Sequence, residues 1–193
     1  MNNKNTLILV AGLMAMVFVA ASVFAYYPLS ITVSPVNPPV KFVAGNNSNQ
    51  TDLGPGNTIA VILGSNSASA SVTIHPTYQT TYYKDVLKIN HTDVDSKEYN
   101  VTIRVNSYTS DLPPGSYILL KIFDEQSGHL IKEVNLTSLS SSISNMDKIG
   151  DLDDGETWRV DIVVYIPEGS PISTTSATVD MELIYTPSSE TPP

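Results

Sequence analysis

From Tyr26 onward, apolar side chains recur at every second position in short runs separated by Gly, Pro and Asn, and no long helical period interrupts them. Successive side chains of a strand point to opposite faces, so this period marks strands with one buried face. Leu29, Ile31 and Val33 alternate with Ser30, Thr32 and Ser34. Ala68, Ala70, Val72 and Ile74 share a face, as do Val101, Ile103 and Val105. Trp158, Val160, Ile162, Val164 and Ile166 form the longest such run, and Ala177, Val179, Met181, Leu183 and Tyr185 form the last. Thr58 to Leu63 is nearly continuous apolar sequence, which predicts a buried strand, and Thr77 to Ile89 has the Tyr- and Thr-rich composition of strands. Only Thr137 to Met146 has the spacing of a helical turn. Nine or ten short strands joined by Gly/Pro/Asn turns predict an all-β fold, a jelly-roll-like antiparallel β-sandwich.

The first 25 residues read as a secretory signal peptide. Lys4 precedes an uncharged apolar run from Leu7 to Ala21, and Val23-Phe24-Ala25 supplies a cleavage site after Ala25. The run is short for a membrane span and no basic cluster follows it, so no membrane association is expected after cleavage. About 170 residues remain, enough for one domain with its own core. The chain has no cysteine, so stability must come from packing, sheet closure, metals or assembly. Its net charge of −9, about −10 without Lys4, argues against nucleic acid as a partner. The sequence divides into the signal (1–25), an extended segment (26–42), a sandwich domain (43–187) and a disordered tail (188–193).

Asn-x-Ser/Thr triplets occur at Asn46, Asn49, Asn90, Asn100 and Asn135, none with Pro in the middle. In a secreted chain they are candidate N-glycosylation sites, which need exposure. His75, His91 and His129 lie outside any nucleophile elbow, zinc helix or Cys/His cluster and read as exposed turn histidines. No catalytic constellation is present, so the chain does not read as an enzyme. An acidic stretch collects Asp147, Asp151, Asp153, Asp154 and Glu156 around Gly155. A loop of that composition can offer oxygens to calcium, although its spacing is not that of an EF-hand, and a solvated turn accounts for the same residues.

The N-terminal segment Tyr26 to Phe42 carries an alternating strand and four prolines without a glycine. It is either the first strand of its own sheet or a strand donated to a neighbour. In the second case Tyr26, Tyr27, Leu29, Ile31, Val33, Val36, Val40 and Phe42 are the assembly residues. Apolar burial alone does not offset the ordering of such a segment, so main-chain pairing must contribute. The prolines limit what is lost on ordering.

The plan of the chain resembles the archaeal extracellular filament subunits built on a TasA-like jelly roll, including threads, bundling pili and cannula-forming proteins. The likeness rests on the signal ending at Ala25, the immediate strand of Tyr26 to Phe42 and the Tyr-rich stretch from Tyr78 to Ile89. It rests also on Tyr99 to Val105 and the Gly155-Glu156-Thr157-Trp158 turn. It implies head-to-tail polymerisation with identical or sister subunits, residues 26–42 entering the next subunit. It also implies glycosylation at sequons and calcium at subunit contacts. The alternative is a monomeric cell-surface binding module for carbohydrate or a surface layer, with Tyr82 and Tyr83 as stacking candidates.

Overall fold

The computed structural model describes residues 3, 4, 6–8, 10, 31–91, 97–140, 146–169 and 177–188. Most of the apolar run of the leader, its cleavage site and residues 189–193 of the tail lie outside them. The chain divides into two units, Met1–Val36 and Asn37–Pro193.

The described residues of the second unit form ten strands and one short helix: β1 (Val40–Ala44), β2 (Ala60–Leu63), β3 (Ser69–Ile74), β4 (Gln79–His91), β5 (Tyr99–Ser110), β6 (Tyr117–Asp124), β7 (Leu130–Asn135), α1 (Leu136–Ser140), β8 (Met146–Leu152), β9 (Thr157–Ile166) and β10 (Ala177–Pro187). The pairing is nested. β6 pairs with β7, β5 with β8, β4 with β9 and β3 with β10, all antiparallel. That is one long antiparallel ribbon folded back at the β6–β7 hairpin. Wrapping it brings β9 beside β6 and β10 beside β5. The result is two sheets, ordered β1-β4-β9-β6-β7 and β2-β3-β10-β5-β8. Strands β3 to β10 thus make an eight-stranded jelly roll of two antiparallel sheets, as the alternation predicts. β1 and β2 each extend one sheet by an edge strand.

The inward faces are the ones read from the period of two. Val101, Ile103 and Val105 of β5, Ile118, Leu120 and Ile122 of β6, Trp158 to Ile166 of β9 and Ala177 to Leu183 of β10 meet in one buried cluster. Two glycines permit close approaches. Gly150 of β8 lies against the Trp158 ring. A Cβ on Gly45 would sit 2.1 Å from the carbonyl oxygen of Asp85, where β4 bulges and Asp85 adopts a φ of 52°. The Gly45 and Asn47 amides donate to the Val86 and Asp85 carbonyls at 2.9 and 3.0 Å, satisfying groups that the bulge removes from the ladder.

Several expectations are corrected. Val40 and Phe42 do not belong to an outgoing segment. They are fully buried in β1, which pairs with β4 from Val40 opposite His91 to Ala44 opposite Leu87. Pro38 and Pro39 are buried as well, so the sandwich begins near residue 38 rather than 43. The Thr58–Leu63 run is not a central strand: only Ala60–Leu63 pairs, at a sheet edge, and Ile62 is 69% exposed. A continuous apolar run cannot distinguish a strand covered on both faces from an edge left open. Ser188 is tied down, its amide donating to the Glu98 carbonyl at 2.8 Å.

Phe42→Ala is expected to destabilise the monomeric domain by about 3–5 kcal/mol, as for a truncated core aromatic. Val33→Ala should stay within about 0.5 kcal/mol of the parent. Urea denaturation followed by Trp158 fluorescence measures both. Equal stability of Phe42→Ala and the parent would return Phe42 to the outgoing segment.

Candidate assembly site

Tyr26, Tyr27 and Leu29 lie outside the described residues. Ile31, Val33 and Val36 are 75%, 79% and 85% exposed, and residues 31–38 are in no strand. Three β-branched side chains therefore stand in solvent on a segment with the spacing of a half-buried strand. Burial begins at Pro38 and continues through β1.

The four sheet edges differ in what protects them. β7 carries Lys132 and Glu133, and β8 carries Asp147, Lys148 and Asp151 with a bulge opposite Val101–Thr102. Lys132 Nζ lies 3.2 Å from Asp147 Oδ1, linking these two edges across the sandwich. On β1 the Phe42 amide donates to the Ser67 carbonyl at 2.7 Å. β2 is the sequence Ala-Val-Ile-Leu, without charge, proline, glycine or bulge. Charges, bulges and covering loops are the usual means of blunting an edge. β2 has none of them within its four residues.

The acidic stretch does not form one loop. Asp147 and Asp151 lie on β8, and only Asp153 to Glu156 form the turn into β9. Asp147 pairs with Lys132, and Asp151 Oδ1 with Lys148 at 3.2 Å. Glu156 accepts the Asp153 amide at 2.9 Å and the Trp158 indole N–H at 2.8 Å. Among the described residues no group of three or more His, Cys, Asp or Glu is placed to hold a metal ion.

The sequons also separate. Asn46 and Asn49 are exposed on the loop after β1. Asn135 is exposed and its Oδ1 accepts the Ser138 amide at 3.1 Å at the start of α1, a cap that leaves the nitrogen available. Asn90 is half-buried in β4 and its Nδ2 donates to Thr157 Oγ1 at 2.8 Å. Asn100 is 8% exposed within β5, with no room for a glycan in the folded domain. The triplet alone carries no information about which face of a strand its asparagine occupies.

Two of the three histidines are not exposed. His91 is buried, its Nδ1 3.1 Å from the Asp153 carbonyl and its ring edge-on to Tyr99. His75 is half-buried, and its amide and Nδ1 both meet Asp52 Oδ2, at 2.6 and 3.1 Å. His129 is exposed. The stacking candidates divide too. Tyr83 is buried, and that burial together with the Asp52 charge raises its phenol pKa far above the ordinary value. Tyr82 stands on the outer face of the first sheet, where its hydroxyl donates to Asp161 Oδ2 at 2.5 Å. Asp161 is fully buried and also accepts the Asp85 amide at 2.7 Å and Arg159 Nε at 2.9 Å. Its carboxylate anchors the β4 bulge, a structural role for a fully buried acid. Partial burial and the Asp161 bond push the Tyr82 phenol up to about 12. On the same face Tyr117 and Tyr165 stack with centroids 5.1 Å apart. The sequence reading missed this pair, although both occupy outward positions of alternating strands.

No protein-family model and no curated protein matches the chain. Among solved structures, a chain of the acidic stable capsid of Helicobacter pylori bacteriophage KHP30 is similar at 10% identity. The match covers 61% of this chain and 94% of that one, with a TM-score of 0.26. Likeness at that level carries no argument about function.

The raised Tyr82 pKa predicts an alkaline signature. A phenol held neutral in the folded state contributes stability that is whole below pH about 10 and is lost as pH rises toward 12. Tyr82→Phe should lack that loss, and the phenolate absorbance difference between parent and variant should titrate near 12. A difference titrating near 10 would mean that the bond to Asp161 does not hold in solution.

Proposed function

We propose that this chain is a secreted structural subunit of an extracellular filament, polymerising head to tail by donating its N-terminal segment to the next subunit, and that it has no catalytic role. The observation that carries this reading is the exposure of Ile31, Val33 and Val36 ahead of a domain whose own first strand starts at Val40. An alternating β-branched segment has little reason to remain in water unless a partner covers it. Because the donated segment and its acceptor are different surfaces, the contact is heterologous and propagates into an open fibre. The donor residues are then Tyr26, Tyr27, Leu29, Ile31, Val33 and Val36. Glycans on the exposed sequons and calcium at subunit contacts are further parts of the proposal.

Deleting residues 26–36 from the otherwise full coding sequence should leave a secreted domain with an unchanged unfolding midpoint and no fibres by electron microscopy, with or without calcium. Fibres from the deleted chain, or none from the intact chain, would end this reading. Mass mapping of the secreted protein should find glycan on Asn46, Asn49 and Asn135 and an unmodified Asn100. A glycan on Asn100 would show that modification precedes folding of β5.

A second reading, a monomeric carbohydrate-binding module, has one observation in its favour: Tyr82, Tyr117 and Tyr165 on one sheet face. A monomeric intact chain retained by an immobilised polysaccharide, and released by Tyr82→Ala, would favour it.

A further inference from the structure

We infer that the acceptor for the donated segment is the free edge of β2, in a second copy of this chain, and that residues 31–34 of one copy add there as an outermost strand. This rests on the strand-donation reading above and adds to it the place of entry.

Among the described residues, the void found between the sheets is too small to admit a strand. The void between the sheets beside Val72, Ile118, Leu136 and Met181 has a volume of about 10 Å³, room for roughly one water molecule. A donated strand then lengthens a sheet rather than entering this void, and among the described strands β1, β2, β7 and β8 are the edges.

Three of these are guarded. β7 and β8 carry charges joined by the Lys132–Asp147 pair, and β8 is bulged. On β1 the hairpin turn at Ser67 already occupies the outward amide of Phe42. β2 differs in its backbone as well as in its side chains. The Gly64 amide donates to the Ser69 carbonyl at 2.9 Å, which makes Gly64 and Ser69 a hydrogen-bonded pair. In an antiparallel ladder such pairs alternate, so Ile62 opposite Ser71 and Ala60 opposite Thr73 bond to β3. Val61 and Leu63 then turn their N–H and C=O groups away from β3.

A short segment already uses the first step of this edge. Ile59 donates to the Gln50 carbonyl at 2.9 Å, and its own carbonyl accepts the Asn49 amide at 2.7 Å. Beyond Ile59, no described residue pairs with the outward groups of Val61 and Leu63. Beside them Ile62 stands 69% exposed on the outer sheet face.

The occupant follows from the chemistry. The edge offers paired backbone groups, half-buried Val61 and Leu63 on the inner side and exposed Ile62 on the outer. A matching strand needs β-branched residues at alternate positions, small polar residues between them and no charge. Ile31, Thr32, Val33 and Ser34 meet all three conditions. Pro35 follows at once and closes the paired stretch, since it has no amide to donate. Pro38 and Pro39, which precede β1, stiffen the chain there in an extended form, which favours supply from a second copy.

The test uses the absence of cysteine, so that every disulfide joins introduced positions, and mass spectrometry of the linked peptides distinguishes mixed pairs from like pairs. Full chains carrying Thr32→Cys or Ser34→Cys are mixed with chains carrying Ile62→Cys, assembled and oxidised. The expected result is a covalent dimer on a non-reducing gel with one or both donor positions. Lys148→Cys on the β8 edge should give none. A second variant, Val61→Pro, removes an outward donor while sparing the bonds from Ala60 and Ile62 to β3. It should fold as the parent does, by circular dichroism, and lose its fibres. Cross-linking to Lys148→Cys, or fibres without any cross-link to Ile62→Cys, would overturn the β2 assignment and leave strand donation standing. An intramolecular link in a chain bearing both cysteines, with no dimer, would overturn it in favour of self-pairing. An intact chain that forms no fibres would remove the donation reading and this one together.

Discussion

Two five-stranded sheets packed face to face have four edges, and each exposes a row of backbone donors and acceptors that attracts other strands. The way this domain treats those rows organises the rest of it. Nested pairing of β3 through β10 satisfies the interior ladders, and what remains is an edge problem at β1, β2, β7 and β8. At one side charge solves it: Lys132 reaches Asp147 across the gap between sheets, and a bulge in β8 spoils its flatness. At the other side the chain uses its own loops. The Ser67 carbonyl takes the Phe42 amide, and residues 49–50 pair with Ile59. The cover stops there, one residue short of Val61.

The buried Asp161 shows how closely the first sheet is tied to this arrangement. A carboxylate removed from water needs compensating donors. Here the Asp85 amide, the Arg159 guanidinium and the Tyr82 hydroxyl supply them. The Asp85 amide is available only because β4 bulges. The bulge in turn brings the Asp85 carbonyl so close to residue 45 that only glycine fits, and the chain leaving β1 is held there. Phe42 sits in the core through the β1–β4 pairing that ends at this contact.

The sheet interior was legible because period-two burial is a local property: the inward residues of β3, β5, β9 and β10 are the ones that alternation picks out. The jelly-roll class followed from strand number and turn composition. What sequence could not supply was which strands lie at edges and which asparagines face inward, since both depend on partners distant in the chain. Val40 and Phe42 look like a continuation of Leu29, Ile31 and Val33, yet pairing with β4 claims the first two and leaves Ile31 and Val33 outside. Asn100 forms as good a sequon as Asn135, but one sits in β5 beneath its neighbours and the other is exposed where it caps a short helix. The acidic stretch has calcium-like composition, and strand β8 runs through it and hands its carboxylates to lysines.

Losing Val40 and Phe42 from the donated segment changes the character of the proposed assembly. A donor reduced to Ile31, Val33, Val36 and the residues before them buries less apolar surface, so backbone pairing at the acceptor becomes a larger share of what holds subunits together. Backbone pairing discriminates by geometry rather than by side-chain size, and an edge already extended by Asn49 and Gln50 offers a defined starting point for an incoming strand. The segment's prolines then serve two ends. They keep the free donor extended, which lowers the entropy lost when it docks, and Pro35 limits docking to a short stretch, which keeps the edge from templating longer sheets. The net negative charge acts in the same direction, opposing lateral aggregation of domains that carry one unguarded apolar edge.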